Sequence, residues 1–195
     1  MLIFSVAVTI STIGCTGSAD SLVKASDKTN KLFESGKMVH LKQVVDHTDS
    51  NNQTVVQYFE TWLAQDMALS IELDSDGNDL RVALDAEKKH ISYDVQSLEA
   101  RLYEFSQIQA IILSNVKSSY FKTTLIEEKE YAGQNCQVYL LENGVDDDWV
   151  RIYVDKETGC VLFCEAPFFR IRTANVEVLE TDESLFSVPS DLVYN

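Results

Sequence analysis

The sequence predicts an α+β domain in which one large antiparallel sheet is accompanied by an amphipathic helix. Three observations predict it: strand-like segments follow one another from residue 38 onward, the period becomes helical at residue 96, and strand-like segments then resume. Consecutive strands with short loops are antiparallel, because parallel strands need long crossovers. At 195 residues, 45% of them hydrophobic, the chain is long enough for one domain with its own core.

Strand-like segments rich in β-branched and aromatic residues occupy most of the chain after residue 37. Turn-forming stretches such as DSNN and DSDGND separate them. The segments are residues 38–45, 54–64, 67–73, 80–84 and 90–95 before the change of period, and 121–133, 134–144, 149–154, 160–166 and 171–180 after it. Residues 184–195 close the chain in extended form, whereas residues 21–35 fit either a short helix that stops at Gly36 or an extended tether.

Residues 98–116 carry the apolar spacing of an amphipathic helix. The apolar stripe consists of Leu98, Leu102, Phe105, Ile108 and Ile112, which recur every three or four residues. The C-terminal half of this segment is apolar on more than one face, so we expect the helix to be covered on both sides.

Residues 153–165, YVDKETGCVLFCE, predict a β-hairpin whose loop is KETG at 156–159. Gly159 supplies the positive φ that such a loop requires. If Val154 lies opposite Val161, strict alternation divides the neighbouring side chains between two faces. One face is then expected to hold Ile152, Val154, Val161 and Phe163, and the other Tyr153, Leu162, Cys160 and Cys164.

The two cysteines of this hairpin cannot act as a pair. On one strand, residues four apart are separated by about 13 Å, whereas a disulfide needs Cα atoms within about 7 Å. Cys160 and Cys164 therefore cannot bridge each other or chelate one ion. A bridge from either thiol to Cys136 on the preceding strand depends on the sheet register, and buried, inert thiols are the favoured interpretation.

Charge and missing motifs argue against several classes of function. With 16 Lys and Arg against 31 Asp and Glu, the formal net charge of −15 repels nucleic-acid phosphates. The three histidines are dispersed, and no HExxH, GxSxG or GxGxxG motif occurs. The acidic stretches at 74–79 and 145–149 are more typical of exposed turns than of calcium loops. We therefore expect a protein that is not an enzyme, with no metal, no cofactor and no nucleic-acid partner.

The N-terminal residues are typical of an export signal. The uncharged run from Leu2 to Gly14 is too short to span a bilayer, which takes about 20 residues, and fits a signal peptide. TIGC at 12–15 resembles the bacterial lipobox, in which the cysteine is lipidated and becomes the new N-terminus. The resemblance implies a lipoprotein signal peptide at 1–14, lipid on Cys15, and an exported protein anchored to the membrane. The alternatives are a cleaved secretory signal or a buried strand with an incidental cysteine.

The second half of the chain resembles the LolA/LolB-type family of bacterial lipoprotein-sorting and lipid-binding envelope proteins. The matching stretches are EYAGQNCQVYLLE at 130–142, RIYVDKETGCVLF at 151–163 and NVEVLETDESLFSVPSD at 175–191, with a weaker match in ISYDV at 91–95. The resemblance implies a strongly curved, incomplete antiparallel β-barrel with helices covering its concave face and an apolar cavity between them. Residues 37–195 would form this single domain, after a tether and possible short helix at 15–36.

An apolar cavity between helix and sheet could accept acyl chains, because each buried CH₂ contributes about 0.8 kcal/mol. The candidate lining residues are Tyr58, Trp62, Leu98, Leu102, Phe105 and Ile112. The alternative is that these side chains simply fill the core.

Two functions follow from the resemblance. The first is a non-enzymatic envelope lipoprotein that binds lipid acyl chains or a lipidated peptide in the cavity. The second is a regulatory lipoprotein with a filled cavity that holds an envelope or cell-wall enzyme or a signalling partner, as anti-sigma-factor regulators and a spore-germination lipoprotein of this family do. An open cavity would favour the first function and a filled one the second.

Overall fold

A computed structural model describes residues 18–86, 88–103, 121–143 and 149–194 of the chain. The elements are the helix α1 (Ser18–Glu34) and the strands β1 (Lys37–Thr48), β2 (Thr54–Ala64), β3 (Met67–Leu73), β4 (Asp79–Ala86), β5 (Lys89–Asp94), β6 (Glu99–Tyr103), β7 (Phe121–Tyr131), β8 (Gln134–Asn143), β9 (Trp149–Asp155), β10 (Val161–Ala166), β11 (Phe169–Glu180) and β12 (Val193–Tyr194). The strands form one curved 12-stranded sheet with the order β12-β6-β5-β4-β3-β2-β1-β11-β10-β9-β8-β7. A 3-10 helix, Glu183–Phe186, precedes β12.

The sheet consists of two antiparallel meanders, which pair with each other through one edge strand of each. Strands β1 to β6 form one meander and β7 to β11 the other, and β1 pairs with β11 to make a single sheet. The short β12 pairs in parallel with β6. All ten predicted strand segments are confirmed, and the predicted ends of the segments at 54–64 and 67–73 coincide with those of β2 and β3. A large antiparallel sheet is therefore confirmed.

The predicted helix at 98–116 is wrong over its first turn and a half. Glu99–Tyr103 is the strand β6, which pairs with β5. The Asp94 carboxylate accepts hydrogen bonds from the backbone N–H groups of Gln96 and Ser97, and Leu98 has a φ of 57°. This turn directs the chain back along β5, and ladder pairing then overrides the helical spacing. The rest of the predicted helix, residues 104–116, lies outside the described residues.

Residues 21–35, which fitted a helix or a tether, form most of α1. The helix ends at Glu34, and Gly36 follows with a φ of 78° while its N–H donates to the Phe33 carbonyl. This left-handed glycine is the usual stop of a helix. Through its contacts with β1 and β7, α1 lies across one face of the sheet.

Three clusters of buried apolar side chains form the core. The first joins Phe33 of α1 with Val39, Leu41, Leu63, Ala68, Cys136, Val138, Tyr153, Cys160 and Leu162. The second joins Leu22 and Ala25 of α1 with Tyr139, Leu141, Ile152, Val154, Val161 and Cys164. The third, which contains no residue of α1, comprises Met38, Ala64, Leu69, Val82, Leu84, Ala86 and Phe186.

The β9–β10 hairpin forms as predicted near its loop and departs from the prediction further out. Val161 pairs with Val154, but a bulge at Leu162 shifts the next pairs, so Cys164 lies opposite Ile152. Cys164 therefore packs in the second cluster, whereas Phe163 packs against the first. The predicted division of side chains between the two faces is wrong for these two residues, because a bulge inserts one residue into the alternation.

Candidate functional site

The face of the sheet that α1 covers can be followed through the strand register. Phe33 of α1 packs in one cluster with Leu41 of β1, Leu63 of β2 and Ala68 of β3. Because side chains alternate along a strand, residues two positions further along these strands lie on the same face. We call it the helix-covered face.

A row of buried polar residues crosses the helix-covered face next to this cluster. It consists of Thr173, Gln43, Thr61, Ser70 and Ser92, each at most 9% exposed. The register places Gln43 opposite Thr173 and Thr61 opposite Ser70. Ser92 lies on the same level as Ser70, separated from it by the intervening strand β4. The Thr61 and Ser70 hydroxyls are hydrogen-bonded at 3.0 Å. We call this set the polar row.

Gln43 is the member of the polar row whose hydrogen bonding is incomplete. Its Nε2 donates to Thr173 Oγ1 at 3.3 Å, but its Oε1 has no partner among the described residues although the side chain is 3% exposed. A buried acceptor without a donor costs about 1–3 kcal/mol of folding free energy. The fold therefore keeps an unfavourable group on the helix-covered face.

A half-buried apolar strip continues the helix-covered face beyond the polar row. Val45 of β1 pairs with Ile171 of β11, and Phe59 of β2 pairs with Gln43. All three apolar side chains are half-buried, and Ile171 also packs against the cluster that contains Leu22. We call Val45, Phe59 and Ile171 the apolar strip. An apolar strip beside a buried acceptor matches a ligand that has an apolar chain and a polar donor.

The polar row was not predicted, although the sequence contains a signal for it. Along β1, the inward positions run Val39, Leu41, Gln43, Val45, so that one glutamine interrupts an apolar series. Along β2, Thr61 lies between the inward-facing Phe59 and Leu63. A polar residue at an inward strand position is rare unless it is hydrogen-bonded or functional.

Four of the six residues predicted to line a cavity fall within the described residues, and none of these four belongs to the polar row or the apolar strip. Tyr58 and Trp62 of β2 lie on the face opposite the helix-covered face, and Tyr58 is 46% exposed. Leu98 lies in the turn before β6, and Leu102 is 60% exposed on that strand. Register connects Trp62 with Leu102 through β3, β4 and β5, so both share one face. Phe105 and Ile112, like Cys15, lie outside the described residues.

On that opposite face, His40 is held between two carboxylates. Its Nε2 lies 3.0 Å from Glu60, its Nδ1 lies 3.2 Å from Glu177, and its ring stacks on Trp62 at 4.5 Å. The hydrogen bond from His40 lowers the pKa of Glu177. Each ring nitrogen thus lies within hydrogen-bonding distance of a carboxylate, so both are already engaged in contacts within the sheet.

Cys136, Cys160 and Cys164, the three cysteines within the described residues, are free and buried, as predicted from the sequence. Burial raises the pKa of Cys136 and of Cys160 to about 11, and that of Cys164 to about 12. A thiolate is the nucleophile and the metal ligand, so these thiols are poorly suited to either role at neutral pH. Within the described part of the chain, no group of three metal-ligating side chains occurs.

A small polar cleft lies at the loop end of β9. It has a volume of about 240 Å³ and is lined by Gln134, Asn135, Asp155, Lys156 and Glu157. Typical ligand sites are larger and mostly apolar, so this cleft does not suit an acyl chain. Among the described residues, no helix is long and apolar enough to cross a bilayer.

No family model matches the chain, and neither does any curated protein. Solved structures do match. An uncharacterized conserved protein from Thermus thermophilus aligns with a TM-score of 0.60 at 10% identity, over 92% of this chain and 100% of that one. MucB in complex with MucA(peri) aligns with a TM-score of 0.58 at 13% identity, over 89% of this chain and 60% of MucB.

The structural neighbours also include a LolA superfamily protein from Nitrosomonas europaea, with a TM-score of 0.44 at 6% identity over 89% of this chain and 99% of that one. This chain spans less than two thirds of MucB, 65% in the structure of MucB alone and 60% in the complex. At these identities the likeness to the Thermus protein and to MucB shows a shared fold.

Proposed function

We propose that the protein is a non-enzymatic, extracytoplasmic binding protein that holds the apolar chain of a lipid or lipidated peptide on the apolar strip. The observation that carries the proposal is the half-buried strip of Val45, Phe59 and Ile171 beside a buried, incompletely bonded polar row. Burying eight CH₂ groups there would contribute about 6 kcal/mol before the costs of association.

The chemistry of the remaining groups supports a binding role. The thiols have raised pKa values and both nitrogens of His40 are engaged, so these candidate nucleophiles and bases are tied up in structure. We further propose that residues 1–14 are removed as a lipoprotein signal peptide and that Cys15 carries the lipid anchor. Residues 37–195 would then be presented on the outer side of the membrane as one domain.

Uptake of a fluorescent fatty acid by the delipidated full chain tests the binding proposal. The informative variant is Phe59→Ala, and the matched control is Tyr58→Ala, its neighbour on the opposite face of β2. We expect Phe59→Ala to weaken binding about tenfold, since it removes much of the contact area of the strip, and Tyr58→Ala to leave it unchanged. Circular dichroism checks that both variants fold.

Two outcomes would contradict the proposal. If the wild-type chain takes up no fatty acid and copurifies with no lipid, the acyl-binding function is excluded. If Tyr58→Ala weakens binding and Phe59→Ala does not, the site lies on the opposite face, together with Trp62.

A second candidate function is regulation through a protein partner, and MucB solved in complex with MucA(peri) favours it. On this proposal, the protein would hold an envelope enzyme or signalling protein. Crosslinking in native membranes, followed by purification of the full chain, tests it. A partner recovered in stoichiometric amount supports this function, and recovery of the chain alone counts against it.

A further inference from the structure

Gln43 is the feature that the acyl-binding proposal leaves unexplained. A strip that only held hydrocarbon would be better served by an apolar side chain at this position, because an unpartnered buried acceptor is unfavourable. Its amide is held in place by Thr173 Oγ1 at 3.3 Å, which directs Nε2 toward β11 and leaves Oε1 as the free end. The unsatisfied atom is thus an acceptor at a defined position.

We infer that Gln43 is a specificity-determining residue that selects ligands whose acyl chain is attached through a secondary amide, as in an N-acylated peptide. This inference rests on the proposed acyl binding. The amide N–H of such a ligand donates to Gln43 Oε1 while the chain lies along Val45, Phe59 and Ile171. No covalent step is involved.

The surroundings of Gln43 argue for a neutral donor. The other members of the polar row are hydroxyl groups, and the Thr61 and Ser70 hydroxyls already bond to each other. A carboxylate anion at this point would bring an acceptor to an acceptor and would meet no cation within the polar row. A free fatty acid and a simple ester therefore make the apolar contacts but gain no hydrogen bond at Gln43.

A glutamine on the neighbouring strand β2 provides a matched control. Gln57 lies on the helix-covered face, as does Phe59 two positions away, and its Nε2 donates to Glu72 Oε1 at 2.6 Å. The two glutamines thus have the same side chain on the same face. They differ in burial and in hydrogen bonding. Gln57 is half-buried, whereas Gln43 has a buried amide oxygen with no donor among the described residues.

The experiment compares three probes with the same acyl chain: N-methyldecanamide, methyl decanoate and 1-monodecanoylglycerol. Each is used to displace a fluorescent fatty acid from the full-length wild-type chain. We expect the amide to bind about fivefold more tightly than the ester, the ratio that one net hydrogen bond provides. Gln43→Met should abolish this ratio, and Gln57→Met should leave it intact.

The outcomes separate the inference from the function on which it rests. If no probe displaces the fatty acid, acyl binding itself fails. If all probes bind with equal affinity in the wild-type chain, acyl binding stands and the role of Gln43 is overturned. Tighter binding of the monoglyceride than of the amide would overturn it in favour of a hydroxyl-bearing lipid. The comparison of probes on the wild-type chain decides the matter even if Gln43→Met does not fold.

Discussion

Two buried polar regions of the molecule differ in how completely their hydrogen bonds are satisfied. Asp155, the last residue of β9 before the hairpin loop, and Gln43 in the polar row are almost equally buried, at 2% and 3% exposure. The Asp155 carboxylate accepts from the Glu157 N–H and from both the N–H and the hydroxyl of Thr158. The Gln43 Oε1 has no donor among the described residues.

The hydrogen-bond partners of the loop network indicate its structural role. In the loop, Thr158 Oγ1 also accepts from the Cys160 N–H, and the Thr158 carbonyl accepts from Thr29 of α1, so the network joins the hairpin to the helix. A fully satisfied buried network rigidifies the fold. An unsatisfied buried group lowers stability and calls for an explanation, such as a ligand that completes its hydrogen bonding. The loop therefore serves stability, and on the function proposed above the polar row would take its missing hydrogen bond from the ligand.

The largest expected effect concerns Gly159, at the point where the loop meets α1. It has a φ of 77°, and a Cβ added there would lie 2.0 Å from the Ala25 carbonyl oxygen. Gly159→Ala should therefore lower the free energy of unfolding by about 4 kcal/mol, through backbone strain and displacement of α1. Chemical denaturation measures this loss.

The matched control is Gly77→Ala in the β3–β4 turn. Gly77 has a φ of 85°, but nothing lies within 4 Å of an added Cβ. Only the left-handed backbone is then penalised, at about 1 kcal/mol. Equal losses in the two variants would show that contact between the loop and α1 contributes nothing.

The next effect concerns Asp155. Asp155→Ala leaves the buried N–H of Thr158 without its acceptor, and we expect a loss of about 2 kcal/mol in the free energy of unfolding. Asp74 caps the β3–β4 turn in the same way, through the N–H groups of Asp76 and Asn78. Because that turn is exposed, water can replace the carboxylate, so Asp74→Ala should cost much less. A larger loss for Asp74→Ala would contradict the comparison.

The polar row should behave in the opposite manner. Gln43→Met removes an unpartnered buried acceptor at the cost of one hydrogen bond to Thr173, so we expect the stability of the ligand-free protein to change by less than about 1 kcal/mol. Thermal denaturation of ligand-free samples measures it. A loss as large as that of Asp155→Ala would mean that Gln43 is a structural residue.

The smallest effect at neutral pH comes from the thiols, because it appears only as the pH rises above about 9. The pKa of Cys164 is raised by burial to about 12 from an ordinary value of 9.0, so the folded protein holds this proton more tightly than the unfolded chain. Its contribution to stability is complete below pH 9 and is lost as the pH rises toward 12, with a limiting slope of about 1.4 kcal/mol per pH unit. Between about pH 8 and 10, the free energy of unfolding should fall less steeply in Cys164→Ala than in the wild-type chain. The variant lacks the slope of about 1.4 kcal/mol per pH unit that begins near pH 9. Identical slopes would indicate that the thiol is accessible to water.

The strands were predictable because their signal is local. Alternation between turn residues located β2 and β3 to the residue, and Gly36 and Gly159 marked a helix end and a hairpin loop. The helical spacing at 98–103 misled, because the same apolar residues also suit a strand once β5 offers an edge. The spacing of apolar residues in a short segment does not show which neighbouring strand will be available for pairing.

Composition, turn chemistry and distance along one strand were enough to predict the large antiparallel sheet, the order of its strands along the chain and the inability of Cys160 and Cys164 to pair. They were not enough to predict the bulge at Leu162 that moves Cys164 to another cluster, or the incomplete set of partners around Gln43. Those features depend on contacts between strands that are distant in sequence. Register and burial, and hence the candidate site, are properties of the assembled sheet.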